Sequence, residues 1–198
     1  MKIPMSYHIY TTNGIILKRT AFAEANVFLH ILTEDLGLIV ASAQSARLAK
    51  SKLSGGLQEY SLVTISCVKG KNGWKVTSVL GRKNIFFNCP QYSQRILAQV
   101  GLVLLKMIPG VEPHRDIFET VSSGFEFLPS VPEEKISFFE ILIVLRILYH
   151  LGYVVSDDRT KTFLQNTSDW NDNLLDTISL QKKEVVGLIN KAFEESQL

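Results

Sequence analysis

Lys69, Lys71 and Lys75 surround the dipeptide Asn72-Gly73, and Trp74 stands inside the same short run. A second basic stretch, Arg47, Lys50 and Lys52, is closed by Ser54-Gly55-Gly56. Cations at this density attract phosphates through counterion release, and an aromatic face beside them can stack on an unpaired base. Phe28 and Tyr60 are further aromatics on other segments. Both fit a core better than a stacking platform, whereas Trp74 fits either. Six cations in two connections are more than loop solubility alone asks for.

No catalytic constellation accompanies them. The chain has no phosphate-binding G-x-x-x-x-G-K-[ST] loop, no G-x-G-x-x-G, no G-x-S-x-G and no H-E-x-x-H. His8, His30, His114 and His150 are scattered without ligand-spaced neighbours. Cys67 falls in a strand-like run and Cys89 near the middle of the chain, so both read as inert core or boundary thiols. Glu133-Glu134 and Asp157-Asp158 flank a helical segment, where helix-end polarity and solvation account for them. The expectation is a binding protein, not an enzyme, with no cofactor and no metal.

Charge is divided unevenly along the 198 residues, whose formal net charge is only +2. Residues 1–90 hold eleven Lys and Arg against four acids, a surplus of seven, and the remainder has a deficit of five. Such a division suggests two modules with different partners, the first suited to a polyanion. With 46% hydrophobic and 20% charged residues the chain is not globally disordered. Two cysteines cannot make a disulfide scaffold or a four-thiolate zinc site. No apolar leader follows Lys2, so a secretory signal is not expected. The apolar stretch 136–155 carries Glu140, Arg146 and His150 and lacks basic flanking clusters, which favours a buried central helix over a membrane span.

The elements that must position the basic residues follow from periodicity. Gly14–Arg19 and Asn26–Thr33 read as strands. Glu34-Asp35-Leu36-Gly37 then turns into a third strand at Leu38–Ala43, making residues 26–43 a hairpin. Leu57–Val68 and Trp74–Ile85 complete five strands, joined by a turn in which Asn-Gly accepts positive φ. Five short strands with long basic connections outline an OB-type barrel, although an SH3-like barrel gives a similar pattern. The period then changes. Helices are expected at Tyr92–Ile108, His114–Leu128, 133–151 and Ser179–Glu195, with a polar, least periodic stretch over Ser156–Asp172. The fold expected is α+β, an N-terminal OB-fold barrel (1–88) followed by an all-α domain (89–198).

Several segments together resemble the RecO family of bacterial DNA repair proteins. They are Gly14-Ile15-Ile16-Leu17-Lys18-Arg19, Glu24-Ala25-Asn26, Thr33-Glu34-Asp35-Leu36-Gly37, Ala46-Arg47 through Ser51, and Leu57-Gln58-Glu59-Tyr60-Ser61. In the helical half they are Glu112-Pro113-His114, Ile117-Phe118, and Phe139 with Leu148, Leu151, Gly152 and Tyr153. The resemblance implies a cytoplasmic, nucleoid-associated recombination mediator. Such a protein binds single- and double-stranded DNA, anneals complementary strands, and works with RecR to load RecA onto DNA coated by single-stranded-DNA-binding protein. It implies DNA contact on Arg47 and the basic residues around it. With the two basic loops, the candidate DNA-binding set is Arg19, Arg47, Lys50, Lys52, Lys69, Lys71, Lys75 and Trp74.

Two departures from the family pattern stand out. Gln44 and Ser45 occupy positions where many members have lysine and glycine, which implies a less basic and less tightly turned loop. Val155 and Thr160 stand where many members have a proline and the first cysteine of a zinc module, and no cysteine follows. Residues 156–178 must then be held without metal. The competing reading is a protein-interaction module whose basic barrel takes an acidic protein segment.

Overall fold

This computed structural model describes residues 8–48, 50, 51, 53, 55–110 and 112–196. The chain divides into two units, one of residues up to Asn84 with Gly110–Pro113, the other of Ile85–Pro109 with His114 onward.

The first unit is built from β1 (Ile9–Phe22), β2 (Asn26–Thr33), β3 (Gly37–Ala43), β4 (Ser61–Gly70) and β5 (Gly73–Asn84). They close into a barrel in the order β1-β2-β3-β5-β4, with β4 returning to β1. Every pairing is antiparallel except β3 with β5, which meet in parallel only at Ala41↔Trp74 and Ser42↔Lys75. That order is the OB-fold, and it resolves the choice left open by strand count alone.

Alternation along each strand explains the core. Val27, Leu29 and Ile31 of β2 turn inward with Ile39, Ala41 and Ala43 of β3, meeting Val63, Ile65 and Cys67 of β4 and Val76 of β5. Strand β1 departs from strict alternation because its register with β2 shifts between Ile16 and Lys18. This bulge lets Ile15, Ile16 and Leu17 all be buried, and it bends the strand as bulges do. The strand therefore runs well beyond the Gly14–Arg19 core of the sequence pattern.

The start of β4 corrects the sequence expectation. Strand β4 starts at Ser61 and not Leu57, because Tyr60 has φ of 60° and cannot continue an extended run. In the β4–β5 hairpin the positive φ belongs to Gly73, at 100°, while Asn72 stays in the ordinary region. Gly70 pairs with Gly73 across the turn.

The second unit is helical: α1 (Ile85–Asn88), α2 (Gln91–Met107), α3 (Arg115–Phe127), α4 (Ile136–His150), α5 (Lys161–Leu164), α6 (Asp172–Leu180) and α7 (Lys182–Glu195). The apolar α4 is its centre and packs on α2, α3, α5, α6 and α7. Its Phe139, Leu142, Ile143, Leu145, Ile147 and Leu148 are fully buried. Among the described residues no helix is long and apolar enough to cross a membrane. Helix α4 ends in a Schellman pair, Tyr153 N–H to the Leu148 carbonyl (2.9 Å) and Gly152 N–H to that of Tyr149 (3.0 Å), with Gly152 at φ of 82°.

The helix expected at 179–195 is α7, starting at Lys182, and a further helix, α6, precedes it. Asn171 caps α6 by accepting the Leu174 N–H at 3.0 Å, and α6 runs to Leu180 before Gln181 separates it from α7.

Candidate nucleic-acid interface

One end of the barrel gathers three of the expected lysines. Lys69, Lys71 and Lys75 are exposed around the β4–β5 hairpin. With Trp74, Ser42 and Gln44 they line an open groove of about 990 Å³. The parallel pairing of β3 with β5 is what brings Ser42 and Gln44, some thirty residues earlier in the chain, to this place.

Trp74 is half-buried and has two roles. Its register partner Ala41 belongs to the core, so the indole packs on the rim of the barrel interior while also lining the groove. Tyr10 meets it edge-on at 5.2 Å, His8 meets Tyr10 at 4.5 Å, and the Lys69 ammonium lies 5.4 Å from the indole centre. The result is a row of rings under a cation, an aromatic surface beside exposed charge.

The second basic loop reaches the same end through residues 44–47. Gln44 Oε1 accepts from Lys75 Nζ at 2.7 Å, leaving the ammonium its charge. The Ser45 N–H donates to Asn26 Oδ1 (2.9 Å), and Arg47 donates through its backbone to the Ala25 carbonyl (3.0 Å) and through its guanidinium to that of Ala23 (3.2 Å). These four residues strap the end of β3 to β5 on one side and to the β1–β2 turn on the other. Ser45 has φ of 55°, a region that favours glycine. The tight turn is thus present with serine in it, where a looser one was expected.

The remaining candidates are placed differently. Lys50 is exposed in the same loop, and Lys52 lies outside the described residues. Arg19 is not in the groove: it pairs in register with the core residue Leu29, and its Nε is buried without a hydrogen-bond partner. Tyr60 sits in the left-handed turn before β4, half-buried, with its phenol pushed above the usual range by burial and by Glu59. Phe28 is not in the core. It is half-buried on the outer face of β2, its ring 4.7 Å from that of Phe22, which is 51% exposed.

Sequence reasoning missed Phe22, Tyr10, His8 and Gln44. Tyr10 and Phe22 lie in the extensions of β1 beyond its apolar run, where no periodicity marks a strand. Gln44 was noted only as the loss of a lysine.

In the helical unit, the stretch that lacks zinc ligands is held by side-chain hydrogen bonds as well as packing. Arg146 of α4 is fully buried. Its guanidinium donates to the main-chain carbonyls of Phe163 (2.9 Å), Asn166 (3.3 Å), Thr167 (3.1 Å) and Asp169 (2.7 Å). Burial lowers its pKa to about 10, opposed by the Asp169 charge, so it remains a cation near neutrality. Trp170 covers it at 4.3 Å.

His150 bridges the Thr120 and Thr167 hydroxyls at 3.0 and 2.9 Å. Thr160 is buried and closes a turn, donating to Asp157 Oδ1 (3.0 Å) and accepting from the Asp157 N–H (3.0 Å). Asp157, paired with Arg159 at 2.6 Å, has its carboxyl held at about 2 by that partner first and by Thr160 next. Hydroxyls and main-chain carbonyls are not a zinc donor set. Among the described residues no group of three His, Cys, Asp or Glu converges as metal ligands would.

Comparison with known proteins places these features in a family. A family model described as "Recombination protein O N terminal" matches residues 5–80. Two proteins from strains of Dehalococcoides mccartyi, each called DNA repair protein RecO, are similar over 190 residues. One is 29% identical and one, from strain CBDB1, 30%. Each alignment covers 92% of this chain and 69% of the relative. A DNA repair protein RecO of Rubrobacter xylanophilus is 25% identical over 146 residues, 73% of this chain and 58% of its own length.

Proposed function

Since the chain belongs to the RecO family of DNA repair proteins, we propose that it is a recombination mediator that binds DNA on its barrel, anneals complementary strands and, with RecR, helps load RecA onto single strands coated by single-stranded-DNA-binding protein. It makes and breaks no bond, and it works in the bacterial cytoplasm at the nucleoid. The observation that supports this reading best is the strap at residues 44–47. Through Gln44 it joins the Lys75 groove to the loop that carries Arg47 and Lys50, so charges from two distant segments share one end of the barrel.

The physical role of each group follows. Lys69, Lys71 and Lys75 supply sequence-independent attraction to phosphates along the groove, and Arg47, whose guanidinium donates one N–H to the Ala23 carbonyl, holds its charge in a set direction. Trp74 offers a ring to an unpaired base. Annealing requires that two strands be held with charge neutralised and bases unstacked from the protein quickly. Lysines on a surface hairpin beside an open groove suit that better than a closed site would.

Strand annealing measured with and without the cognate single-stranded-DNA-binding protein and RecR tests the proposal. Acceleration of annealing, and RecR-dependent RecA loading, are the expected results. Well-folded protein inactive in every condition would remove the mediator reading. Binding to an acidic protein segment that single-stranded DNA fails to displace would instead favour a protein-interaction module.

A further inference from the structure

The outer face of the barrel continues from the groove toward the β1–β2 turn. Thr20 registers with Phe28, Phe28 with Ser42, and Ser42 with Lys75, so these four residues form one row across β1, β2, β3 and β5. Registered residues share a face, and the neighbouring positions Val27, Ala41 and Val76 belong to the core, so this row points outward. Ser42 and Lys75 line the groove, and Phe28 is the next station beyond them. Phe22 stands beside it, rings 4.7 Å apart and tilted 46°. Ala23, the next residue, holds the Arg47 guanidinium.

We propose that Phe22 and Phe28 form a second base-stacking platform, and that a single strand crosses the barrel from Trp74 over Ser42 to this pair with Arg47 on its phosphates. The proposal rests on the nucleic-acid reading above and gives it a path and a preference. Phe28 and Lys75 are two interstrand steps apart, about 10 Å, which is roughly three stacked nucleotides at 3.4 Å each. A strand can therefore engage both aromatic stations at once. Ser42, small and polar, leaves the ridge between them low enough for a sugar to pass. A duplex has no open base faces to offer along its length, so it gains only the phosphate contacts. The platform thus selects single strands, while the lysines serve both forms. Glu24 at the tip of the same turn is an exposed acid beside the path.

The test compares a short oligothymidylate, an abasic oligomer of the same length and a short duplex, binding each to the full chain. Phe22→Leu keeps apolar bulk without a ring, and Phe22→Trp keeps the ring. Phe22, being exposed at a strand end, is a safer site for folding than Phe28. Phe22→Leu is expected to weaken oligothymidylate binding by about 5-fold or more, the low end of what one stacked base contributes. Affinity for the abasic oligomer and the duplex should change less than about 2-fold, and Phe22→Trp should bind as wild type. If Phe22→Leu binds all three probes as wild type does, the platform is wrong. A parallel Lys69→Gln, Lys71→Gln, Lys75→Gln variant separates the two claims. Loss of binding to all three probes there, with no effect of Phe22→Leu, overturns the platform alone. No effect of the triple variant overturns the groove itself.

Discussion

Arg146 shows how one buried residue can hold a whole segment in place. An arginine inside an apolar helix is costly unless its donors are met, and here four main-chain carbonyls of residues 163–169 meet them. The planar fork suits carbonyls spread over a loop, which a lysine cannot reach together. Arg146→Met should therefore destabilise the protein by about 3–5 kcal/mol, since it orphans buried carbonyls, and Arg146→Lys should recover only part of that. Urea denaturation followed by tryptophan emission reads this directly, because Trp170 lies over the guanidinium. Full stability in Arg146→Lys would show that the fork is unnecessary.

A neighbouring group gives a pH dependence. His150 has its pKa lowered from 6.5 first by burial and further by Arg146, while Asp116 acts in the opposite direction. His30 is lowered too, by burial and then by Lys18. The unfolded chain then binds protons more readily than the native one. The stabilising contribution is complete above about pH 6.5 and is lost as pH falls through the lowered folded values. Denaturation midpoints should decline from about pH 7 toward pH 5. His150→Gln, which keeps a polar group near Thr120 and Thr167, should flatten part of that decline. An unchanged slope in this variant would assign the pH dependence to His30 or elsewhere. None of this was legible in the sequence, where Arg146 counted only against a membrane helix and His150 against that and against a metal site. The Arg146 carbonyls and Thr167 lie in a later stretch with no periodicity, and Thr120 lies on a different helix, α3.

At the scale of elements, what was legible is what alternation and turn chemistry determine locally. The hairpin over 26–43 was plain because Val27, Leu29 and Ile31 alternate and Gly37 follows an acidic turn. The start of β4 was not, because nothing in Leu57–Tyr60 announces the left-handed φ at Tyr60. Helix α6 was hidden because Asn171-Asp172-Asn173 reads as loop until Asn171 is seen to cap it. Least visible was the docking of Trp170 on α3, which depends on Gly124. A Cβ there would lie 2.8 Å from Trp170 Cζ2 and 3.1 Å from Ile143 Cδ1. The indole cannot easily withdraw, since its N–H donates to Ser123 Oγ at 3.0 Å and its face covers Arg146. Gly124→Ala adds roughly 1 kcal/mol of helix propensity but must displace this ring, so a net loss of about 1–3 kcal/mol is expected. Near-ultraviolet circular dichroism should change with it. A more stable variant with an unaltered tryptophan signal would mean that the 161–170 segment yields more readily than its hydrogen bonds suggest.

For the whole molecule, the separation of charge was readable because counting needs no fold. The meeting of Lys75 with Gln44 was not, because it depends on a two-residue parallel pairing between β3 and β5. The consequence is measurable as a salt dependence. Each phosphate neutralised on a single strand contributes about −0.7 to the slope of log affinity against log salt. If Lys69, Lys71 and Lys75 each meet a phosphate, replacing all three with glutamine should reduce the slope by about 2, and weaken binding most at low salt. Lys161→Gln with Lys183→Gln, which removes two exposed charges from the acidic second unit, should leave the slope as it is. A control pair that reduced the slope as much as the groove variant would move the DNA footprint off the barrel, and the surplus of positive charge on the first ninety residues would then need another partner.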